Sequence, residues 1–163
     1  MNINIQKLSE GLHELSEDLS IENLGLTEAV KADGEVKVNA FVDKFEDSFR
    51  IKVNVKADLI EQCDKCLKEY KLQFDENGEQ IYQVGKGEYE DDDIEVLPDN
   101  TKEIELSKLI NEVFLINRPI QKTCKEDCKG LCPECGKNLN HTTCNCKNER
   151  IDPRLEKLKS LIK

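Results

Sequence analysis

All eight cysteines of this chain fall in four short pairs. They are Cys63-Asp-Lys-Cys66, Cys124-Lys-Glu-Asp-Cys128, Cys132-Pro-Glu-Cys135 and Cys144-Asn-Cys146. Thiolates are soft donors, and four of them close a tetrahedron around a zinc ion at about 2.3 Å per Zn–S bond. A C-x-x-C turn places two sulfurs on one ion and aims backbone N–H groups at them. Four pairs therefore suit two structural ions per chain. Cys132-Pro-Glu-Cys135-Gly136 is the strongest half-site, because Pro133 stiffens the turn and Gly136 permits a left-handed backbone. Its natural partner is Cys144 with Cys146, across the eight-residue loop 136–143. His141 lies in that loop, either as a substitute ligand for one of those two cysteines or as a solvent-facing residue; the second reading is preferred. Cys63, Cys66, Cys124 and Cys128 are left for the second ion. Leu67, not glycine, follows Cys66, so that half-site departs from the usual knuckle. The competing reading of Cys63 and Cys66 is that they are small buried hydrophobes.

Catalytic uses of these residues fit poorly. A redox C-x-x-C expects a βαβ context, and here strands flank it. A zinc deaminase needs H-x-E, and neither His13 nor His141 begins one. A catalytic zinc keeps an open position, whereas two sets of four thiols fill theirs. Phosphate-binding glycine loops of the G-x-x-x-x-G-K-[ST] or G-x-G-x-x-G type are absent from the sequence. The expectation is a non-enzyme with no catalytic residues and no small-molecule substrate.

The elements that must position the cysteines follow from periodicity. Val36, Val38, Ala40 and Val42 alternate with polar residues, and Phe49, Ile51, Val53, Val55, Ala57 and Leu59 do so after a polar turn. Period two over that length predicts an antiparallel hairpin. Tyr70, Leu72 and Phe74 continue it, with 81–84 as an extension. Residues 3–8 allow a short first strand, and 9–30 read mostly as loop. Leu106, Leu109, Ile110, Val113, Phe114 and Asn117 fall on one helical stripe, which Pro119 ends. A second helix is expected over 153–162, with Asp152 as N-cap and Pro153 at its first position. The predicted fold is α+β: an antiparallel sheet or partly open barrel with a packed helix over 1–120, then a small zinc-binding lobe with a terminal helix over 121–163.

The formal charge of −10 is unevenly placed. Residues 1–117 carry 13 Lys and Arg against 28 Asp and Glu, whereas 118–163 carry 11 against 6. An acidic body repels phosphates, so only the C-terminal third could meet a nucleic-acid backbone. Lys147, Arg150, Arg154, Lys157 and Lys159 are the candidates for RNA or partner contact. That third contains no Phe, Tyr or Trp, so the stacking grip on single-stranded RNA is missing there. The competing reading is that these cations keep a small lobe soluble. The acidic run 88–95 reads as a solvated loop or a docking segment for a basic partner. No apolar run reaches the roughly 18 residues a membrane span needs. The opening residues lack a basic stretch followed by an apolar one, so a cytoplasmic protein with reduced thiols is expected.

The stretch from Cys124 through Cys132-Pro-Glu-Cys-Gly-Lys-Asn-Leu-Asn140 to Cys144-Asn-Cys146 resembles the YceD family. So do Ile151-Asp-Pro-Arg-Leu155 with Leu158 and Leu161, Cys63-Asp-Lys-Cys-Leu67, and the helix ending Asn-Arg-Pro119. The combination is specific, while Cys-Pro-Glu-Cys-Gly alone is shared by many zinc ribbons. The resemblance spans about residues 30–163. It implies support for accumulation or processing of large-subunit ribosomal RNA, and partners among precursor rRNA and ribosomal proteins on an assembling particle. Two other classes are set against it: a zinc-ribbon transcription regulator that binds nucleic acid, and a general protein–protein adaptor.

Overall fold

The computed structural model describes residues 1–26, 30–85 and 94–146. Its described part contains seven strands, one α-helix and a short 3-10 turn at Ile5–Lys7; the strands and the α-helix position the site. They are β1 (Asn2–Asn4), β2 (Gly11–Leu19), β3 (Val36–Phe45), β4 (Ser48–Gln62), β5 (Glu69–Val84), β6 (Ile94–Leu97), β7 (Glu103–Glu105) and α1 (Ser107–Asn117). Five strands form one sheet in the order β2-β3-β4-β5-β6, and β1 pairs with β7 in a separate ribbon. Among the described residues the sheet keeps two edges and does not close into a barrel. The chain divides into two compact units. One is Met1–Glu61 with Glu69–Ile120; the other is Gln62–Lys68 with the described chain from Gln121 onward.

β3 and β4 form the expected antiparallel hairpin, with Val38 opposite Val55 and Ala40 opposite Val53. Its alternation is driven by burial: Val36, Val38, Ala40, Val42, Ile51, Val53, Val55 and Leu59 are at most 1% exposed. Helix α1 covers this apolar side with Leu109, Ile110, Val113 and Phe114, and Phe114 stacks on Phe74 of β5 at 4.8 Å between centroids. Pro119 and the extended backbone at Arg118 end the helix. At the close approach of α1 to β5 stands Gly78, where a Cβ would lie 2.4 Å from Cγ2 of Val113. Gly78→Ala should therefore destabilise this unit by about 1–3 kcal/mol, the usual cost of overpacking, measured by urea unfolding. An unchanged midpoint would mean that α1 has room to move.

Two expectations need correction. Residues 9–30, read mostly as loop, include a strand: β2 pairs along its whole length with β3, from Gly11 opposite Lys44 to Leu19 opposite Val36. As an edge strand it carries Glu14, Glu17 and Asp18, and such charge both blunts the edge and hides the alternation. The sheet is also mixed rather than purely antiparallel. β6 runs parallel to β5, with Ile81 opposite Ile94 and Val84 opposite Leu97, so it lies alongside the last four residues of β5. The helix expected over 153–162 lies outside the described residues, as does most of the acidic run.

Where β4 ends, Glu61 is 4% exposed and forms an ion pair with Arg118, just past α1. Arg118 donates to the same carboxylate oxygen through Nε at 2.9 Å and Nη2 at 2.5 Å. The pair fixes the end of the helix to the end of the strand.

Candidate metal centres

The loop Gln62–Lys68 folds back on itself. The Cys63 N–H donates to the Lys68 carbonyl at 2.9 Å, and the Leu67 N–H donates to the Cys63 carbonyl at 2.8 Å. Leu67 stands at φ 58°, in the left-handed region that L residues other than glycine rarely adopt. The Cys132–Gly136 turn repeats this geometry, with Gly136 at φ 69° and its N–H 2.9 Å from the Cys132 carbonyl. Both segments are the same knuckle, so the absence of glycine after Cys66 did not change the turn. Leu67→Gly relieves that backbone cost, about 1–2 kcal/mol, and loses part of it to the greater freedom of an unfolded glycine. A net stabilisation of up to about 1 kcal/mol is expected in denaturant unfolding. A clear loss would show that the half-exposed Leu67 side chain holds the turn by packing.

The segment after α1 docks on the first knuckle by a reciprocal pair. The Asp64 N–H donates to the Lys122 carbonyl at 2.8 Å, and the Lys122 N–H donates to an Asp64 carboxylate oxygen at 2.7 Å. This brings Cys124 and Cys128 to Cys63 and Cys66. Gly130 then passes so close to the first knuckle that a Cβ there would lie 2.9 Å from the Lys65 carbonyl oxygen. The Leu131 N–H donates to the same oxygen at 3.0 Å.

Two tetrads result: Cys63, Cys66, Cys124 and Cys128, then Cys132, Cys135, Cys144 and Cys146. Within each, all four sulfurs lie within 4.8 Å of one another. Cys63 and Cys128 are 3.8 Å apart at sulfur, and Cys66 and Cys124 are 3.7 Å apart. Four sulfurs placed tetrahedrally at Zn–S distance would be separated by about 3.8 Å. A disulfide needs about 2.05 Å, and all eight thiols are free. The arrangement could hold two metal ions. His141 is exposed and belongs to neither tetrad.

Local donors polarise the sulfurs. The Cys124 N–H, ahead of those of Cys66 and Lys65, outweighs burial and holds the Cys63 thiol down to about 6. N–H groups of Cys135 and Glu134 hold Cys132 down to about 7. The Asn140 side-chain amide, 3.3 Å away, lowers Cys128. Within each tetrad another thiol moves the opposite way. Burial first, then the neighbouring sulfurs, push Cys124 up to about 12, and Cys135 with burial does the same to Cys146. Four acceptor atoms at this spacing cannot all ionise without a cation between them.

Spacing alone pointed to both groupings of cysteines. It gave no hint of Asp64, Gly130 or Asn140, whose roles come from contacts across distant turns. Lys147, Arg150, Arg154, Lys157 and Lys159 lie outside the described residues. Among the described residues no helix is long and apolar enough to cross a membrane.

Comparison with known proteins matches residues 51–162 to the family described as large ribosomal RNA subunit accumulation protein YceD. A chloroplastic YCED homolog 1 from Arabidopsis thaliana is 40% identical over 55 residues, which is 34% of this chain and 17% of that protein. The Zea mays homolog 1, also named chloroplastic, is 39% identical over 67 residues, or 40% of this chain and 22% of the relative. The uncharacterized protein YlbN of Bacillus subtilis is 35% identical over 75 residues, 45% of this chain and 42% of YlbN. The match therefore spans less than half of each of these relatives. No solved structure matches the chain. With the family matched over residues 51–162, more than half its length, the chain belongs to the YceD family.

Proposed function

We propose that this protein is a non-catalytic, zinc-structured factor of the cytoplasm that supports accumulation of large-subunit ribosomal RNA on an assembling particle. The carrying observation is the pairing of two cysteine tetrads at tetrahedral spacing with membership of a family named for that RNA. Zinc fits the donor set, since soft thiolates select it and closed four-thiolate sites are structural. When bound, it supplies cross-linking of distant turns and no chemistry of its own. The knuckles aim N–H groups at sulfur, and Asp64 with Lys122 holds the two halves of the first tetrad together.

Charge bears on the partner. On the outer face of the five-stranded sheet, Glu14, Asp18 and Asp43 are exposed beside Leu12, Phe41 and Phe45. The cations there are largely engaged, Arg50 and Lys52 with Glu79, and Lys56 with Asp75. Such a face suits a basic ribosomal protein better than a phosphate backbone. RNA phosphate contact is left to the basic C-terminal residues, Lys147 to Lys159.

Metal affinity should depend on pH in a defined direction. Binding requires thiolates, and Cys124 and Cys146 keep their protons to about 12 without a cation. Protons are therefore released on loading, and apparent affinity rises with pH. Below the values of about 6 for Cys63 and about 7 for Cys132 even the favoured thiolates are lost. Competition with a chromophoric chelator should show weak binding near pH 6 and much tighter binding near pH 8. A flat profile would count against thiolate ligation.

The functional reading is tested by sedimenting the tagged protein in lysate through a sucrose gradient at moderate salt. Co-migration with large-subunit precursors, with large-subunit rRNA enriched on pull-down, is expected. Protein only at the top of the gradient, with no rRNA recovered after crosslinking, would sink it. Binding of DNA with a steep salt dependence would favour a transcription regulator, and a single non-ribosomal partner would favour an adaptor.

A further inference from the structure

The two cysteine tetrads are not independent knots in one loop. The turn 129–131, between the two sets of ligands, is hydrogen-bonded to the stretch 138–140 inside the second set. The Leu139 N–H donates to the Gly130 carbonyl at 2.9 Å, and Leu131 and Asn138 form an isolated antiparallel bridge. Asn140 completes the joint. Its Oδ1 accepts from the Lys129 N–H at 3.0 Å, which fixes which way the amide faces. Its Nδ2 then donates to Asn138 Oδ1 at 2.9 Å and to the sulfur of Cys128 at 3.3 Å. The amide hydrogens and its oxygen are thus all in use. A residue carried by the second tetrad's loop touches a ligand of the first.

We infer that the two sites form one coupled metal unit, in which Asn140 is the positioning residue through which loading of the second tetrad strengthens metal binding at the first. The inference rests on the metal reading above. Loading Cys132, Cys135, Cys144 and Cys146 orders the loop 136–143 that carries Asn140. The ordered amide donates to Cys128, disperses thiolate charge and orients the sulfur toward the ion. Outer-shell hydrogen bonds of this kind typically govern about 10- to 100-fold in metal affinity. Coupling is reciprocal, so loading the first site must favour the second by the same factor.

The test uses Co²⁺ on the full chain, followed by its thiolate charge-transfer absorption in competition with a chelator. A Cys132→Ser/Cys135→Ser variant reports on the first tetrad alone, and a Cys63→Ser/Cys66→Ser variant on the second alone. In the otherwise intact chain, Asn140→Leu should weaken the first site about tenfold or more. With the second tetrad disabled, the first should be weakened by a similar factor, and adding Asn140→Leu there should cost little more. Asn140→Asp keeps the acceptor for the Lys129 N–H and removes the donor to sulfur. A purely structural role would let Asp restore affinity; the proposed role has Asp fail as Leu does. First-site affinity within twofold of wild type in Asn140→Leu, or with the second tetrad disabled, overturns the coupling while the absorption band upholds the metal sites. No thiolate band in the wild-type chain overturns both.

Discussion

Replacing Cys132 with Ser should strip one metal ion from each chain and unravel much of the cysteine-rich unit, while the five-stranded sheet stays folded. Cys132 is 2% exposed and is one of the four sulfurs of its tetrad. The described residues 121–146 of this unit contain no helix or ladder of length, only turns, short contacts and the bridge of Leu131 with Asn138. Little apolar surface is buried there apart from the cysteines, so under the proposed zinc reading the order of this unit comes from the ion. A structural zinc contributes on the order of 10–16 kcal/mol of apparent binding energy in small domains, and three thiolates retain only part of it. Hydrogen exchange should show protection lost over 129–146 and kept in β3, β4 and α1. Unchanged protection would mean that this unit folds without its metal.

Removing Arg118 should be nearly as damaging to the other unit. Its guanidinium is the cation for Glu61, whose side chain is 5% exposed, in a pair joining the end of β4 to the segment after α1. Leaving a buried carboxylate without its cation typically costs about 3–5 kcal/mol, far above the 1 kcal/mol or less of a surface pair. Arg118→Met should therefore lower the urea midpoint sharply. Glu61→Met/Arg118→Met should recover much of the loss, because burying neither charge removes the desolvation penalty. A double variant no better than the single would mean that the pair's geometry, rather than its charge balance, is what the fold needs.

The legible parts of the fold were those where burial imposes a period. The β3–β4 alternation and the α1 stripe run uninterrupted because each presents one face to the same core. β2 was hidden because an edge strand needs few apolar residues and many charges. β6 and β7 are too short, at 4 and 3 residues, to show any period, and a parallel return has no local mark. Both tetrads could be read from spacing, since ligand pairs must lie within one turn of each other. The supporting contacts could not. Asp64 meets Lys122 and Arg118 meets Glu61 across 58 and 57 residues, and nothing in a sequence marks a hydrogen bond from an asparagine to a distant sulfur. Leu67 shows the limit of residue-type rules: the cysteine turn forces a left-handed backbone that a leucine accepts.

Native mass spectrometry of the intact chain, purified under reducing conditions without added metal, is the most direct measurement. A chain heavier than its apo mass by two zinc ions, one for each tetrad, is the expected result, and chelation should return it to the apo mass with loss of exchange protection in the cysteine-rich unit. A chain that carries no zinc, or one that keeps that protection after chelation, would contradict the claim that zinc organises this protein.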